Sequence, residues 1–180
     1  MEMSVGTIVT IVLLMTVLIL GLYLVRTIFS SATTSIDGID SAVKGEIQKL
    51  FSEDKTRKVV IYPSTRKIEI TKGNTNSGFG FSIRNNLQEA EKFSYVIKAT
   101  EVSCVNNMRL SEADDLITLG KEGSNIQLPA GTMMDDPIYV RFNIPETAPP
   151  CEVRYSIEVY YQGKTLYAPS ITVDLEILSE

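Results

Sequence analysis

Cys104 and Cys151 carry the most distinctive chemistry in this chain, and they are its only cysteines. Neither belongs to a Cys-x-x-Cys pair, so a zinc-type metal site is not what they offer. Cys104 ends one long β-rich run and Cys151 begins another. One disulfide between them is the natural reading, with two buried thiols as the alternative. Such a bond closes a loop worth about 4 kcal/mol in the chain-entropy model and persists outside the reducing cytoplasm. The remaining inventory is sparse. With no histidine, no nucleophile motif and no Gly-rich phosphate loop, the usual acid–base and covalent constellations lack their parts. Neither an enzyme activity nor a cofactor is expected. The acidic pairs Asp114 with Asp115 and Asp135 with Asp136 offer carboxylates to a calcium ion between loops, but the ligand spacing of a calcium loop is absent. They read as solvated loop charges, and no metal site is expected. "GFGFSIRN", residues 78–85, lacks the GxGxxG spacing, and its alternation suits a strand where a ring packs over a glycine. A net charge of -5 without a basic cluster disfavours nucleic acid. The chain also lacks an N-x-[ST] acceptor, so sequon-linked glycosylation is not expected.

The elements that must position these residues change character along the chain. After "FSEDKTRK" the pattern alternates with period two. "KVVIYP", "KIEIT", "GFGFSIRN", "KFSYVIKATEVSC", "DPIYVRFNIP", "CEVRYSIEVYY" and "SITVDLEIL" are short runs rich in Val, Ile, Tyr, Phe and Thr, separated by Gly, Pro, Asn and Asp. That composition and punctuation predict strands. Alternation is cleanest where Cys151, Val153, Tyr155, Ile157 and Val159 face away from Glu152, Arg154, Ser156 and Glu158, which gives one buried and one wet face. "YQGKT" predicts a hairpin centred on Gln162 and Gly163. The exposed aromatics Tyr160 and Tyr161 are either contacts between subunits or a ligand surface. With no further helix signal, this region predicts an antiparallel, immunoglobulin-like β-sandwich over residues 52–180.

The first quarter of the chain reads differently. "SVGTIVTIVLLMTVLILGLYLV", residues 4–25, has no charged side chain. As a helix, Val5 to Val25 spans roughly 30 Å, close to the apolar core of a bilayer. The run has neither the basic start nor the small-residue cleavage site of a secretory signal, so it reads as retained. Many of its residues are β-branched, and only lipid or an apolar bundle obliges such a run to be helical. Ile36, Ile39, Val43, Ile47, Leu50 and Phe51 then fall at steps of three and four, a stripe along one helix face. The helix is expected to continue to about Phe51, although the Ser/Thr cluster and Gly38 make a break over 30–38 an alternative. The stripe either lies on the chain's own globular domain or continues a bundle between subunits. The expected organisation is α+β: a long hydrophobic and amphipathic helix over 1–51, then the sandwich. No Lys or Arg precedes the run and Arg26 follows it. Taken literally, the positive-inside rule does not send the C-terminal side out, whereas a basic piece upstream of a cleaved residue 1 reverses that reading.

"MEMSVGTIVTIVLLMTVLILGLYLVRTIF", followed by an amphipathic continuation and a β-sandwich, resembles the archaeal branch of the type IV pilin superfamily, archaellins included. The resemblance covers the first fifty or so residues in pattern and the rest only in architecture, and Gly6, Thr7, Ile8 and Val9 are similar to the opening of archaellin helices. It implies a structural subunit of a helical surface filament, membrane-inserted before assembly and extracellular afterwards. Its implied partners are its own copies, a prepilin-type peptidase and an ATPase-driven assembly platform. The implied filament-core positions are Val5, Gly6, Ile8, Val9, Val12, Leu13, Leu20, Leu24 and Ile28. Glu2 stands near the place of the acid that pairs with a neighbour's terminal amine in bacterial pilins, or it is an exposed charge favoured by the helix dipole. The competing reading is a single-pass, membrane-anchored immunoglobulin-like protein that binds a ligand or partner at the cell surface.

Overall fold

The computed structural model of the chain describes residues 6, 9–21, 41–75, 77–104 and 108–179. These form two compact units, Met1–Gly38 and Ile39–Glu180. In the first, a helix (α1) covers residues 9–21. The second begins with α2 (Ser41–Glu53) and continues through β1 (Val59–Tyr62), β2 (Lys67–Thr71), β3 (Gly78–Ile83) and β4 (Glu91–Cys104). A single helical turn, α3 (Leu110–Asp114), leads into β5 (Ile117–Leu119), β6 (Glu122–Leu128), β7 (Ile138–Phe142), β8 (Cys151–Tyr161), β9 (Thr165–Leu166) and β10 (Ile171–Leu178).

The long N-terminal helix expected over 1–51 is corrected by this arrangement. The fold is mostly β with short helices, and among the described residues no helix is long and apolar enough to cross a membrane. The described part of the amphipathic stripe lies on the chain's own β unit, the first of the two expected alternatives. Ile47 and Phe51 are buried with Val60 of β1, and Val43, Leu50 and Tyr62 pack around them. The apolar face of α2 is therefore satisfied within its own unit.

Strands arrange in a four-stranded sheet, β1-β3-β7-β5, and a six-stranded sheet, β2-β10-β8-β4-β6 with β9 beside β8. Phe79, Phe81, Ile83, Val140 and Phe142 from the first meet Phe93, Tyr95, Ile97, Val153, Tyr155 and Leu175 from the second in one core. Ring pairs fasten the layers: Phe81 and Tyr95 lie edge-on 5.0 Å apart at 81°, and Phe142 and Tyr155 lie tilted 5.3 Å apart, separations at which aromatic pairs attract beyond their buried area. The outer face of the larger sheet is wet, as the alternation required. There Arg154 donates to Asp174 (2.7 Å) and Glu101 (2.7 Å), and Lys67 pairs with Glu176 (2.6 Å).

The expected all-antiparallel arrangement is corrected in one respect. β2 runs parallel to β10, Lys67 opposite Asp174 through Thr71 opposite Leu178. A parallel pair needs a long connection between its strands, and here almost the whole unit separates them. The expected disulfide is present and joins neighbours within one sheet. Cys104 and Cys151 are bonded, directly opposite each other in the β4–β8 ladder, with Cα atoms 4.4 Å apart. Replacing both with serine is expected to cost about 4 kcal/mol of stability through the freed loop. Urea unfolding of the two forms tests this, and equal midpoints would sink it.

The alternation of β3 serves α2. Phe79 and Phe81 point into the core, while a Cβ on Gly80 would meet Val43 Cγ1 at 3.2 Å and Ile47 Cδ1 at 3.6 Å. The helix, not a ring, sits over this glycine. Ser82, two residues on, is 1% exposed, and its Oγ has no hydrogen-bond partner among the described residues. At the C-terminal end of α2, Arg84 Nη1 donates to the Phe51 carbonyl (3.2 Å) and its guanidinium lies over the Phe51 ring. A cation at that end favours the helix dipole. Gln162 and Gly163 take left-handed φ values of 49° and 80° at the β8–β9 turn, where the hairpin was expected.

Candidate assembly surface

Helix α1 is apolar on every side. Val9, Ile11, Val12, Leu13, Leu14, Met15, Val17, Leu18, Ile19 and Leu20 are all exposed, from 48% for Ile11 to 70% for Leu14. Among the described residues outside α1, Leu110 and Leu166 are the large apolar side chains with comparable exposure. A helix hydrophobic all round is one that something covers. Its threonines do not contradict that: Thr10 Oγ1 donates to the Gly6 carbonyl (3.1 Å) and Thr16 Oγ1 to the Leu13 carbonyl (2.8 Å). Hydroxyls satisfied by their own backbone make no polar demand on the cover. Around Gly21 a Cβ would meet nothing within 4 Å.

Of the positions implied for a filament core, Val9, Val12, Leu13 and Leu20 lie on this exposed surface, and Gly6 is helical and exposed. Glu2, Val5, Ile8, Leu24 and Ile28 lie outside the described residues, as do Ile36 and Ile39 of the stripe.

The other candidates are distributed through the second unit. Asp114 Oδ1 accepts the Ala99 amide at 2.6 Å, tying α3 to β4. Asp136 pairs with Lys44 of α2 at 2.6 Å. The two acidic pairs thus serve different local structures, and among the described residues no group of three His, Cys, Asp or Glu is placed to hold a metal ion. Tyr160 donates to Glu158 (2.7 Å), and Tyr161 packs edge-on against Tyr167 at 5.9 Å. Both are half-buried. Burial pushes the Tyr95 hydroxyl up to about 12, helped by Glu122. It pushes Tyr155, which donates to the Ala113 carbonyl at 2.7 Å, well above the ordinary tyrosine range.

Sequence reasoning missed a groove of about 810 Å³ along β1, lined by Leu50, Arg57, Lys58, Val59, Ile61, Arg66 and the segment Ala168–Ile171 among others. "KVVIYP" reads as a strand buried on both faces, and the pattern does not say which strand ends a sheet.

No family model and no curated protein matches this chain. Several solved structures share part of its course. A family 123 glycoside hydrolase from Clostridium perfringens is similar with TM-score 0.46 and 14% identity over 74% of this chain and 26% of that one. The chain thus spans about a quarter of that enzyme's length. WR4, an MSP family member from C. elegans, gives TM-score 0.41 and 12% identity, over 67% of this chain and 98% of that one. A PapD-like domain of human CEP192 gives 0.38 and 16%, over 68% and 85%. Similarity this distant carries no argument about function. The fold and its exposed helix together define a β-sandwich-like, disulfide-linked protein with an uncovered apolar segment.

Proposed function

We propose that the chain is a structural subunit of a helical surface filament of the archaeal type IV pilus or archaellum kind, polymerising through its apolar N-terminal segment. The observation that carries this reading is α1, whose large apolar side chains at positions 9–20 are all exposed while the second unit buries most of its own. Copies of the same segment are a suitable cover. Packed together, the helices gain dispersion contacts at every face, and heterologous contacts that repeat without closing build a fibre from one subunit. Before assembly, lipid shields the segment; a prepilin-type peptidase and an ATPase-driven platform process and extract the subunit. The sandwich faces the outside, where the Cys104–Cys151 bond persists. The work is mechanical and needs no catalytic group or cofactor.

Electron microscopy of material sheared from native cells, with mass spectrometry of its main band, tests the reading. Filaments built mainly of this chain are the expected result. A monomer confined to the membrane fraction, with filaments absent, would replace it with the anchored surface-binding protein.

A further inference from the structure

The groove beside β1 is a vacant strand position. Arg84 donates its amide to the Lys58 carbonyl at 2.8 Å, and Val59 stands opposite Ile83, Val60 opposite Ser82 and Ile61 opposite Phe81. Hydrogen-bonded and non-hydrogen-bonded pairs alternate along an antiparallel ladder, so Lys58 and Val60 bond toward β3. The amides and carbonyls of Val59 and Ile61 therefore point the other way, into the groove. β1 ends its sheet, and among the described residues no further strand lies on that side. The far wall is the segment Ala168–Ile171.

Charge marks what fits there. The lining holds Arg57, Lys58 and Arg66 and no acidic residue, although the chain as a whole carries -5. Arg57 and Lys58 stand at the start of β1, and Arg66 follows its end. Arg57 is partly engaged by Asp54 (3.3 Å), and Lys58 donates to the Tyr167 carbonyl (2.9 Å). Arg66 is exposed, and no acid pairs with it among the described residues. Its backbone takes a left-handed φ of 56° at the turn where the chain passes from one sheet to the other. Its carbonyl accepts the Asp174 amide at 2.8 Å, which holds the turn in place. Edge-to-edge pairing of β1 with β1 of a second copy would set these cations against their like, which disfavours it.

We propose that the β1 edge binds an extended, carboxylate-bearing segment of another protein, which adds a strand to the four-stranded sheet. Main-chain bonds to Val59 and Ile61 supply the pairing, as in other strand additions. Carboxylates at the two ends of the incoming segment meet Arg57 and Lys58 at one end of β1 and Arg66 at the other, and this selects acidic partners. The site is built from residues of the second unit alone, and its test does not rest on the filament reading.

The probe is a short capped peptide of alternating valine and threonine with an aspartate pair at each end, fluorescently labelled, against the full chain in detergent. A lysine-ended peptide is the control. The aspartate form is expected to bind at least about tenfold more tightly, and Arg66→Glu to weaken it by about tenfold without changing the melting temperature. Amide exchange at Val59 and Ile61 is expected to slow when the peptide is bound, a readout independent of any variant. Equal binding of the two peptides, or binding that leaves those amides unprotected, overturns the proposal. So does protection that grows with protein concentration in the absence of peptide, since the occupant is then a second copy.

Discussion

Replacing Leu14 and Leu18 with glutamate is expected to abolish filament formation while leaving the melting transition of the β unit unchanged. The two side chains are among the most exposed on α1, at 70% and 64%. Four residues apart, they share one helix face. When neighbouring copies cover that face, each ionised carboxylate loses its water without gaining a partner. The cost is several kcal/mol per buried charge, far more than the packing lost with one leucine at a loosely filled position. Neither residue contributes to the core of the second unit, so the effect separates assembly from folding. Electron microscopy of reassembled material and calorimetry of the same preparation read the two quantities. The conservative pair Leu14→Met and Leu18→Met keeps apolar volume and should still polymerise. Filaments from the glutamate variant would place α1 outside the polymer core.

Alkaline stability is the second large effect. Tyr95 and Tyr155 are 7% and 0% exposed, and burial holds their hydroxyls protonated in the folded state, Tyr95 up to about 12 and Tyr155 higher. A raised pKa means that the native state keeps its proton where the unfolded chain has already released it. The contribution is therefore fully present below the unfolded value of about 10 and is lost as pH rises above it. Each tyrosine gives a slope approaching 1.4 kcal/mol per pH unit, so the pair removes about 4 kcal/mol between pH 10 and 12. Lys67 acts in the same direction, since its pKa is raised by Glu176, although exposure makes that pair a minor contributor. Denaturant unfolding across this range measures the loss. Tyr155→Phe should flatten the alkaline limb by roughly one tyrosine's slope, at a neutral-pH cost of about 1 kcal/mol for the hydrogen bond to the Ala113 carbonyl. That carbonyl still accepts the Leu116 amide. A stability curve flat from pH 10 to 12 would contradict the assignment.

Seven of the strands were legible as runs of alternating or β-branched residues, from "KVVIYP" to "SITVDLEIL", because side chains on a half-buried sheet must alternate in polarity. β5, β6 and α3 were not. "EGSNIQL" has Gly123 and Asn125, the latter at a left-handed φ of 59°, and its hydrogen bonds to β4 stabilise a strand that local preference does not favour. The missing side chain at Gly123 is what allows Tyr95 its place, since a Cβ there would collide with the Tyr95 ring. α3 is one turn, too short for a periodic signal, and it is held by its neighbours: Glu112 accepts the Arg109 amide (2.9 Å) and Asp114 accepts from Ala99.

The apolar character of residues 9–21 was settled by composition, because it does not depend on what lies nearby, whereas the two cysteines read as one bond or two buried thiols until the β4–β8 ladder set them opposite each other. What the helical stripe packs against did depend on it. Val43, Ile47, Leu50 and Phe51 have the same spacing whether a bundle or a sheet receives them, and here Val60 of β1 and the open space over Gly80 of β3 receive them. The same holds for sheet order. Alternation specifies which face of a strand is buried but not its neighbour, so the parallel β2–β10 pair, the disulfide within one sheet and the open edge of β1 follow from long-range pairing, whose partners are far apart in the chain.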